Sequence, residues 1–481
     1  MIMANSKTLN TTETFSHLPS VPDEEKVNQL LTNELQSFNK KIIVLDDDPT
    51  GVQTVHGISV YTDWTPESIE AGFAEENTMF FILTNSRGFT AAETKVAHEE
   101  IAKTILQTAE QQQKDYMIIS RGDSTLRGHY PLETEVLKNT IEAQSDRLFD
   151  GEVIMPFFKE GGRFTIENIH YVQDEDQLIP AGETEFAKDR TFGYASSHLG
   201  EWAEEKSGGA FKASDATYLS LEDIRGLEID RLVQQLMGVE DFNKVIVNAT
   251  QYVDVKVVVI ALIRAMKAGK NFMFRSAAAL TKIIGGIEDK ALLTRDELVK
   301  DHSGNGGLIM IGSHVKKTTE QFNVLQTCSF IEFIEFDVHL VLDLEKFEKE
   351  IQRIIQKSEQ LIQKGKTVAV YTKRERLDLG EDKKEEELLL SVKISDAVTS
   401  IVKNIQTRPS FIIAKGGITS SDIGTNGLSV KRATVAGQIK PGIPVWLTGS
   451  ESKFPGLAYV IFPGNVGSKT TLKEVAELLH Q

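Results

Sequence analysis

A run of three aspartates near the start of the chain has the residue types that bind a metal ion or activate a hydroxyl group. The run is Asp46-Asp47-Asp48-Pro49-Thr50-Gly51, and it follows the apolar stretch 41–45. Adjacent carboxylates repel one another unless a cation lies between them. Mg²⁺, or a substrate hydroxyl with an arginine beside it, would relieve that repulsion. The alternative is an aspartate-rich turn whose carboxylates accept hydrogen bonds from the backbone.

The densest polar loop in the chain is Gly122-Asp123-Ser124-Thr125-Leu126-Arg127-Gly128, preceded by Arg121. One carboxylate, two hydroxyls and two guanidiniums suit a polyhydroxylated anion, because Asp accepts hydrogen bonds from hydroxyls and Arg binds a carboxylate through two parallel bonds. A loop satisfied internally by an Asp123–Arg127 pair is the alternative. Similar residues recur at Thr84-Asn85-Ser86-Arg87 and Gly161-Gly162-Arg163-Phe164-Thr165. We therefore expect the three loops to form one anion site.

The second half of the chain contains three glycine loops, each placed between a predicted strand and a predicted helix. In such a loop, backbone N–H groups can face a phosphate and glycine permits its close approach. None of the three has the spacing of a Walker A loop or of a dinucleotide-binding fingerprint. One such loop is more often a tight turn, but three in one region predict nucleotide binding. The loops are Gly312-Ser313-His314, Lys415-Gly416-Gly417-Ile418-Thr419-Ser420 and Pro463-Gly464-Asn465-Val466-Gly467.

The elements that must position these loops alternate between short β-branched strands and helix-length segments. Such alternation predicts two α/β domains with mostly parallel sheets and an interdomain cleft, and ligands collect at the carboxyl ends of parallel strands. Helices include a single one at 221–237. We expect a flexible leader at 1–25, an N-terminal domain at 26–282, a linker at 283–306 and a C-terminal domain at 307–481. Predicted strands include 41–45, 57–61, 79–83, 116–120, 153–155, 271–274, 308–311 and 458–462.

The overall charge argues against a nucleic-acid or membrane-surface partner. The formal net charge is −17, and binding to a polyanion depends on Lys and Arg neutralising phosphates. The most apolar helical stretch, 255–266, is too short to span a bilayer. Cys328 is the only cysteine, which excludes an intrachain disulfide and suits the reducing cytoplasm, where we expect the protein to act.

A rival interpretation arises from the first motif. Asp46-x-Asp48-x-Thr50 after an apolar strand also fits the opening motif of haloacid-dehalogenase-like phosphatases, in which Asp46 would be the covalent nucleophile. Those enzymes need a later acidic pair to hold Mg²⁺. Here Gly122-Asp123 is followed by Arg127 where the second aspartate should stand. The sequence therefore contains the opening phosphatase motif but lacks the later acidic pair.

Taken together, the motifs resemble the four-carbon acid sugar kinase family, which includes threonate, erythronate and oxo-tetronate kinases. The resemblance covers nearly the whole chain after residue 25. Departures from the common pattern are Asp46 and Pro49 in the first motif and Ser120-Arg121-Gly122 before the second. The matching segments are Asp47 to Gly51, Asp123 to Gly128, Gly312-Ser313 with Thr319 and Gln321, Gly416 to Ser420, and Pro463 to Gly467.

The resemblance implies that the N-terminal domain binds the sugar acid and the C-terminal domain binds ATP with Mg²⁺, with phosphate transferred across the cleft. We favour Asp123 as the base over Asp47 or Asp48, and assign no metal ligand. Substrate-binding residues would be Thr50, Asn85, Arg87, Ser124, Arg127 and Arg163. Nucleotide-binding residues would be Ser313, Gly416, Gly417, Ile418, Thr419, Gly464, Asn465 and Gly467. A sugar-acid or nucleotide sensor without transfer is the other alternative, and a homo-oligomer is compatible with either.

Overall fold

The computed structural model describes residues 7–300, 303–375 and 384–480, and the chain divides into two compact units. The N-terminal unit contains the chain up to Thr54 together with Asp63–Asp289. The C-terminal unit contains Val55–Thr62 and the chain from Lys290 onward. The chain therefore passes from the first unit into the second at segment 55–62 and then returns to the first.

The described residues form nineteen strands. They are β1 (Leu9–Asn10), β2 (Lys41–Asp46), β3 (Ser59–Tyr61), β4 (Met79–Leu83), β5 (Tyr116–Arg121), β6 (Gly151–Met155), β7 (Arg163–Ile166), β8 (Ile169–Asp174), β9 (Gln177–Pro180), β10 (Thr217–Leu219), β11 (Asn243–Val247), β12 (Phe272–Ser276), β13 (Leu308–Ile311), β14 (Ile331–Phe336), β15 (Thr367–Thr372), β16 (Phe411–Lys415), β17 (Arg432–Lys440), β18 (Ile443–Thr448) and β19 (Ala458–Phe462).

Sixteen α-helices connect the strands in the described ranges, and none of these helices combines the length and apolar character needed to cross a bilayer. They are α1 (Thr11–His17), α2 (Glu24–Gln36), α3 (Pro66–Ala74), α4 (Ala91–Gln112), α5 (Leu132–Gln144), α6 (Leu199–Lys206), α7 (Leu221–Arg225), α8 (Ile229–Met237), α9 (Tyr252–Lys267), α10 (Ala278–Ile284), α11 (Arg295–Leu298), α12 (Lys316–Leu325), α13 (Leu344–Ile362), α14 (Lys384–Asn404), α15 (Gly417–Asp422) and α16 (Thr471–His480).

The main sheet of the N-terminal unit is entirely parallel, with the strand order β10-β11-β6-β12-β5-β2-β4. Its strands are buried along their whole length in the centre of the sheet, which is why they read as continuous apolar runs. Two groups of helices pack within this unit: α3 and α5 contact α4, whereas α2, α7, α8 and α10 contact α9. A second, antiparallel sheet of order β1-β9-β8-β7 carries Arg163 at the start of β7.

Helix α4 illustrates how local sequence fixes an element boundary. The Thr90 hydroxyl accepts a hydrogen bond from the Glu93 N–H, and the Glu93 carboxylate accepts one from the Thr90 N–H at 2.8 Å. This capping box satisfies two backbone N–H groups that have no partner within the helix. The helix that follows β4 therefore begins at a defined residue, which limits the β4–α4 connection to a short loop.

Two elements of the N-terminal unit differ from the expectations drawn from the sequence. In the segment expected to be a flexible leader, β1 pairs with β9, and Asn10 and Thr12 both donate to the Asp176 carboxylate. A two-residue strand is too short to leave a periodic pattern. Residues 1–6 of that segment lie outside the described residues. The single helix expected at 221–237 is two helices, because the chain turns at Gly226 and Leu227, where Leu227 has a φ of 55°.

The C-terminal unit has a sheet of order β3-β17-β18-β19-β16-β13-β15-β14. The strands from β19 to β14 are parallel, and the β3, β17, β18 and β19 pairings are antiparallel. The apolar core beneath them includes Ile309, Phe411, Val460 and Leu472. The predicted mixed α/β class with mostly parallel sheets and two domains is confirmed.

Candidate functional site

The polar loops of the N-terminal unit follow neighbouring parallel strands. In the sheet register, Asp46 at the end of β2 lies beside Leu83 of β4 and Arg121 of β5, and Arg121 lies beside Ser276 of β12. Because parallel strands end at the same edge of a sheet, the loops after β2, β4 and β5 are brought together. Two of the three loops that we expect to form one anion site, 84–87 and 122–128, are therefore adjacent at this edge together with the aspartate run.

Arginines neutralise the aspartate run. The Arg87 guanidinium binds Asp47 through two bonds, Nη2 to Oδ1 at 2.6 Å and Nε to Oδ2 at 3.2 Å. Its Nη1 also lies 3.4 Å from Asp48 Oδ2. The Arg121 Nη1 lies 3.2 Å from Asp46 Oδ1 and 3.6 Å from Asp47 Oδ1. Among the described residues there is no group of three or more His, Cys, Asp or Glu side chains that could hold a metal ion.

Burial and charge give the three aspartates different acidities. Burial raises the pKa of Asp46 to about 8, against the opposing effect of Arg121. Burial also raises the pKa of Asp47. For Asp48, burial is outweighed by the charges of Arg87 and Arg121 together with hydrogen bonds from Thr50, and the pKa is lowered. The backbone closes over Asp46, since a Cβ atom at Gly51 would lie 2.0 Å from its Oδ2. Asp46 is therefore an enclosed carboxyl group whose neutral form is favoured by burial.

The loop from Gly122 to Gly128 holds Asp123 in an internal pair. The Arg127 Nε donates to Asp123 Oδ2 at 2.6 Å, and the Thr125 hydroxyl donates to the same oxygen. This is the pairing that the internally satisfied alternative requires. Burial alone would raise the pKa of Asp123, but the charges of Arg127 and Arg87 hold it well below its usual range. The other oxygen, Oδ1, accepts no hydrogen bond from a described residue, so it can accept one from a ligand.

Arg163 differs from the other arginines near this loop because it forms no ion pair with a described residue. Its Nε is buried and has no hydrogen-bond partner there. Its guanidinium lies 5.7 Å from the centre of the Phe186 ring, and the guanidinium of Arg127 lies 5.0 Å from the same ring. A buried polar atom without a hydrogen-bond partner is costly. An anion bound beside Phe186 would therefore complete the environment of Arg163.

Two residues of this site were not found from the sequence, Arg275 and Glu133. The Arg275 Nη1 lies 2.5 Å from Glu133 Oε2 and donates to the Ser120 hydroxyl at 3.1 Å. The loop from Gly122 to Gly128 has glycine at both ends where Arg275 packs closely. A Cβ atom at Gly122 would lie 2.2 Å from Arg275 Cζ and one at Gly128 would lie 2.7 Å from its Nη2. The available signal was a charged residue inside the apolar strand β12.

The remaining predicted substrate residues lie in the same loops. The Thr50 N–H donates to Asp48 Oδ1 at 2.8 Å, and Asn85 adopts a left-handed conformation with a φ of 55° directly after β4. The carbonyl of Ser124 accepts a hydrogen bond from His170 Nε2 at 2.8 Å. Burial lowers the pKa of His170 to about 4, so its imidazole is neutral at neutral pH. The Ser124 loop is thus fixed by an uncharged donor.

The glycine loops of the C-terminal unit follow β13, β16 and β19, which are adjacent parallel strands. The Thr318 hydroxyl donates to the Gly464 carbonyl at 3.1 Å and lies 3.3 Å from the Ser313 hydroxyl. Gly416 has a φ of 123°, and a Cβ atom there would lie 3.0 Å from Ser313 Cβ. The three loops are therefore in contact, and their close approach depends on glycine at position 416.

The other predicted nucleotide residues lie in these loops. Gly417 begins α15, and Ile418 in its first turn is 73% exposed, an unusual value for a large apolar side chain. Thr419 follows it in the same helix. Asn465 is exposed and Gly467 has a φ of 85° in the loop after β19. The cluster thus combines exposed backbone, hydroxyl groups and an exposed apolar side chain.

Comparisons with known proteins also divide the chain into an N-terminal and a C-terminal domain. Residues 42–284 match the family described as a sugar-binding N-terminal domain, and residues 308–472 match that described as a nucleotide-binding C-terminal domain. No curated protein matches the sequence. The fold is similar to that of Haemophilus influenzae protein HI1011, with a TM-score of 0.58 and 16% identity over 91% of this chain and 100% of that one. A Salmonella typhimurium LT2 protein provisionally called a tRNA synthase has a TM-score of 0.61 and 14% identity over 89% of this chain and 97% of that one.

Proposed function

Since the chain belongs to the four-carbon acid sugar kinase family, in which a sugar-binding domain precedes a nucleotide-binding domain, we propose that it transfers phosphate from ATP to a hydroxyl of a small sugar acid. Threonate, erythronate and oxo-tetronate are the substrates that the family resemblance favours. The proposal assigns the acid to the loops after β2, β4 and β5 and the nucleotide to the loops after β13, β16 and β19.

The observation that carries the proposal is the unpaired guanidinium of Arg163. Arg87, Arg127 and Arg275 each have a carboxylate partner within the protein, so their charges are already compensated. Arg163 has none among the described residues, and its Nε is buried. A substrate carboxylate would supply both the missing charge and the missing hydrogen-bond acceptor. A sugar acid fits this requirement, whereas a neutral sugar does not.

Asp123 is the residue that we propose to orient the attacking hydroxyl. Its Oδ2 is fixed by Thr125 and Arg127, which leaves Oδ1 to accept a hydrogen bond from the substrate. A carboxylate with such a low pKa is a weak general base. Phosphoryl transfer depends mainly on positioning and charge neutralisation, and the hydroxyl proton is lost late, so a weak base suffices. Asp47 and Asp48 would act by holding Arg87 beside Asp123.

The glycine loops of the C-terminal unit would hold the phosphates of ATP through backbone N–H groups. The hydroxyls of Ser313 and Thr419 are available as further donors, and exposed Ile418 would contact the apolar parts of the nucleotide. The described residues include no metal-binding cluster, so no metal ligand is assigned. Mg²⁺ usually binds phosphate oxygens and retains several waters, and it would arrive with the nucleotide to neutralise phosphate charge.

The phosphatase alternative is disfavoured by the state of Asp46. A covalent nucleophile must be ionised and accessible, whereas Asp46 is enclosed by the Gly51 backbone and its pKa is raised to about 8. The sensor alternative retains both sites and lacks only the transfer step. An activity measurement therefore separates the sensor from the kinase.

The test is a calorimetric titration with ATP, followed by a screen for ADP release with four- and five-carbon sugar acids. The kinase proposal expects ATP binding and ADP release that depends on one class of acid. The Asp123→Asn variant should bind ATP as the wild type does but release ADP at least about a hundredfold more slowly. ATP binding without turnover of any acid would favour the sensor. Release of phosphate from phosphorylated sugars without ATP binding would favour the phosphatase.

A further inference from the structure

Lys415 is a buried lysine that joins two of the glycine loops. It is the last residue of β16 and directly precedes Gly416. Its side chain is 0% exposed. Its Nζ donates to the carbonyls of Pro463 at 2.5 Å and Gly464 at 3.2 Å, and lies 4.1 Å from the centre of the Phe462 ring. These contacts fix the loop after β19 against the loop after β16.

The charge of Lys415 has no carboxylate partner among the described residues. Burial, followed by repulsion from Lys317 on α12, lowers the pKa of Lys415 to about 6. The other groups that contact its ammonium are two backbone carbonyls and an aromatic ring, none of which titrates. Lys244 in the N-terminal unit provides a contrast, because it is equally buried but lies 2.7 Å from the Glu152 carboxylate. A buried ammonium is costly unless an opposite charge accompanies it.

We propose that the phosphates of a bound nucleotide supply the opposite charge that Lys415 lacks, so that nucleotide binding is coupled to protonation of its Nζ. The proton comes from solvent and forms the third Nζ–H bond of the ammonium, while the amine lone pair is consumed. The charged form then holds the Pro463 and Gly464 carbonyls in place beneath the phosphates. Lys415 is thus a positioning residue of the nucleotide site, an inference that rests on the proposed function.

The coupling is measured by calorimetric titration of the full-length protein with Mg-ATP at pH 7 in buffers of different ionisation enthalpy. The dependence of the observed heat on buffer gives the number of protons taken up. We expect the wild type to take up nearly one proton more than Lys415→Arg, since a guanidinium stays charged with or without nucleotide. The affinity of the wild type, relative to that of Lys415→Arg, should fall by up to about tenfold per pH unit between pH 6 and 8.

A second variant guards against a folding defect at the buried position. Lys317 is exposed, so Lys317→Met should fold normally. Removing its repulsion raises the pKa of Lys415, and proton uptake at pH 7 should decrease while ATP still binds. The matched control is Lys316→Met, an exposed neighbour that should leave the proton uptake unchanged.

The outcomes distinguish this inference from the proposed function. Equal proton uptake in the wild type, Lys415→Arg and Lys317→Met, with ATP bound by all three, overturns the role of Lys415 and leaves the kinase proposal intact. Failure of the wild type to bind ATP overturns the proposed function and this inference with it. Proton uptake that decreases in both variants supports the inference.

Discussion

Replacement of Arg163 by methionine should separate the stability of the N-terminal unit from its capacity to bind an anion. Methionine keeps an extended apolar side chain over Phe186 but removes the guanidinium, whose Nε is buried without a partner. The matched variant is Arg127→Met. Arg127 lies over the same ring but pairs with Asp123 at 2.6 Å. Both substitutions replace arginine by methionine, but Arg127→Met leaves the Asp123 carboxylate without its ion-pair partner, whereas Arg163→Met breaks no ion pair between described residues.

The expected magnitudes follow from the contacts. An unsatisfied buried polar group costs about 1–3 kcal/mol, and the lost cation–π contact offsets about 0.5–1 kcal/mol of that gain. Arg163→Met should therefore raise the free energy of unfolding by about 0–2.5 kcal/mol. Breaking a buried ion pair costs about 3–5 kcal/mol. Because Arg127 and Asp123 are 23% and 12% exposed and Arg87 remains near, we expect Arg127→Met to lose about 2–3 kcal/mol.

The catalytic effect of Arg163→Met should run in the opposite direction to its effect on stability. Loss of a charge-assisted hydrogen bond to a substrate carboxylate costs about 1.5–3 kcal/mol, which is roughly a ten- to hundredfold decrease in kcat/KM. Stability is measured by urea unfolding followed by the fluorescence of Trp202 in the N-terminal unit, with Trp446 reporting the C-terminal unit; both are buried. A lower free energy of unfolding for Arg163→Met, or an unchanged kcat/KM, would refute the anion-binding role of Arg163.

Three further predictions concern the two sites. Gly122→Ala should lower the free energy of unfolding by about 1–3 kcal/mol through overpacking against Arg275, whereas Gly88→Ala, where a Cβ atom meets nothing within 4 Å, should change it little; urea unfolding tests both. Gly416→Ala should weaken ATP binding at least about tenfold by calorimetry, because its φ of 123° disfavours any side chain; unchanged affinity would contradict the assignment of this loop. The pKa of Asp46 is raised from 3.8 to about 8, so between these pH values the folded state holds a proton that the unfolded state loses, and the free energy of unfolding should fall as the pH rises. Asp46→Asn should flatten this pH dependence. Parallel plots of unfolding free energy against pH for the two proteins would contradict the prediction.

Much of the fold could be predicted because its central strands are buried on both faces. The strands β4, β13 and β19 have the bounds that their apolar runs predicted. The glycine loops were recognisable for a related reason, since glycine directly after such a run indicates a close approach of the backbone. The antiparallel sheet that carries Arg163 could not be found, because β1 has only two residues and β9 four.

The residues missed at the candidate site are those whose role depends on distant pairing. Arg275 and Glu133 lie 142 positions apart in the sequence, and no local pattern connects them. The reason for glycine at 122 and 128 could not be predicted either, because glycine in a loop usually indicates flexibility. In the structure, both glycines leave room for the Arg275 guanidinium. Strand β3 was expected in the first domain, since consecutive strands usually lie together, but it pairs with β17.

The pairing of β3 with β17 has a consequence for synthesis on the ribosome. Ser59 of β3 bonds to Arg432 of β17, 373 residues later in the chain. At about 5–20 residues per second, translation separates the two strands by roughly 20–75 s. During that delay β3 has emerged without its partner, and the edge of β17 that it covers does not yet exist. The C-terminal unit therefore completes its sheet only after β17 has been synthesised. A fragment that starts at Lys290 would leave that edge of β17 open to other chains.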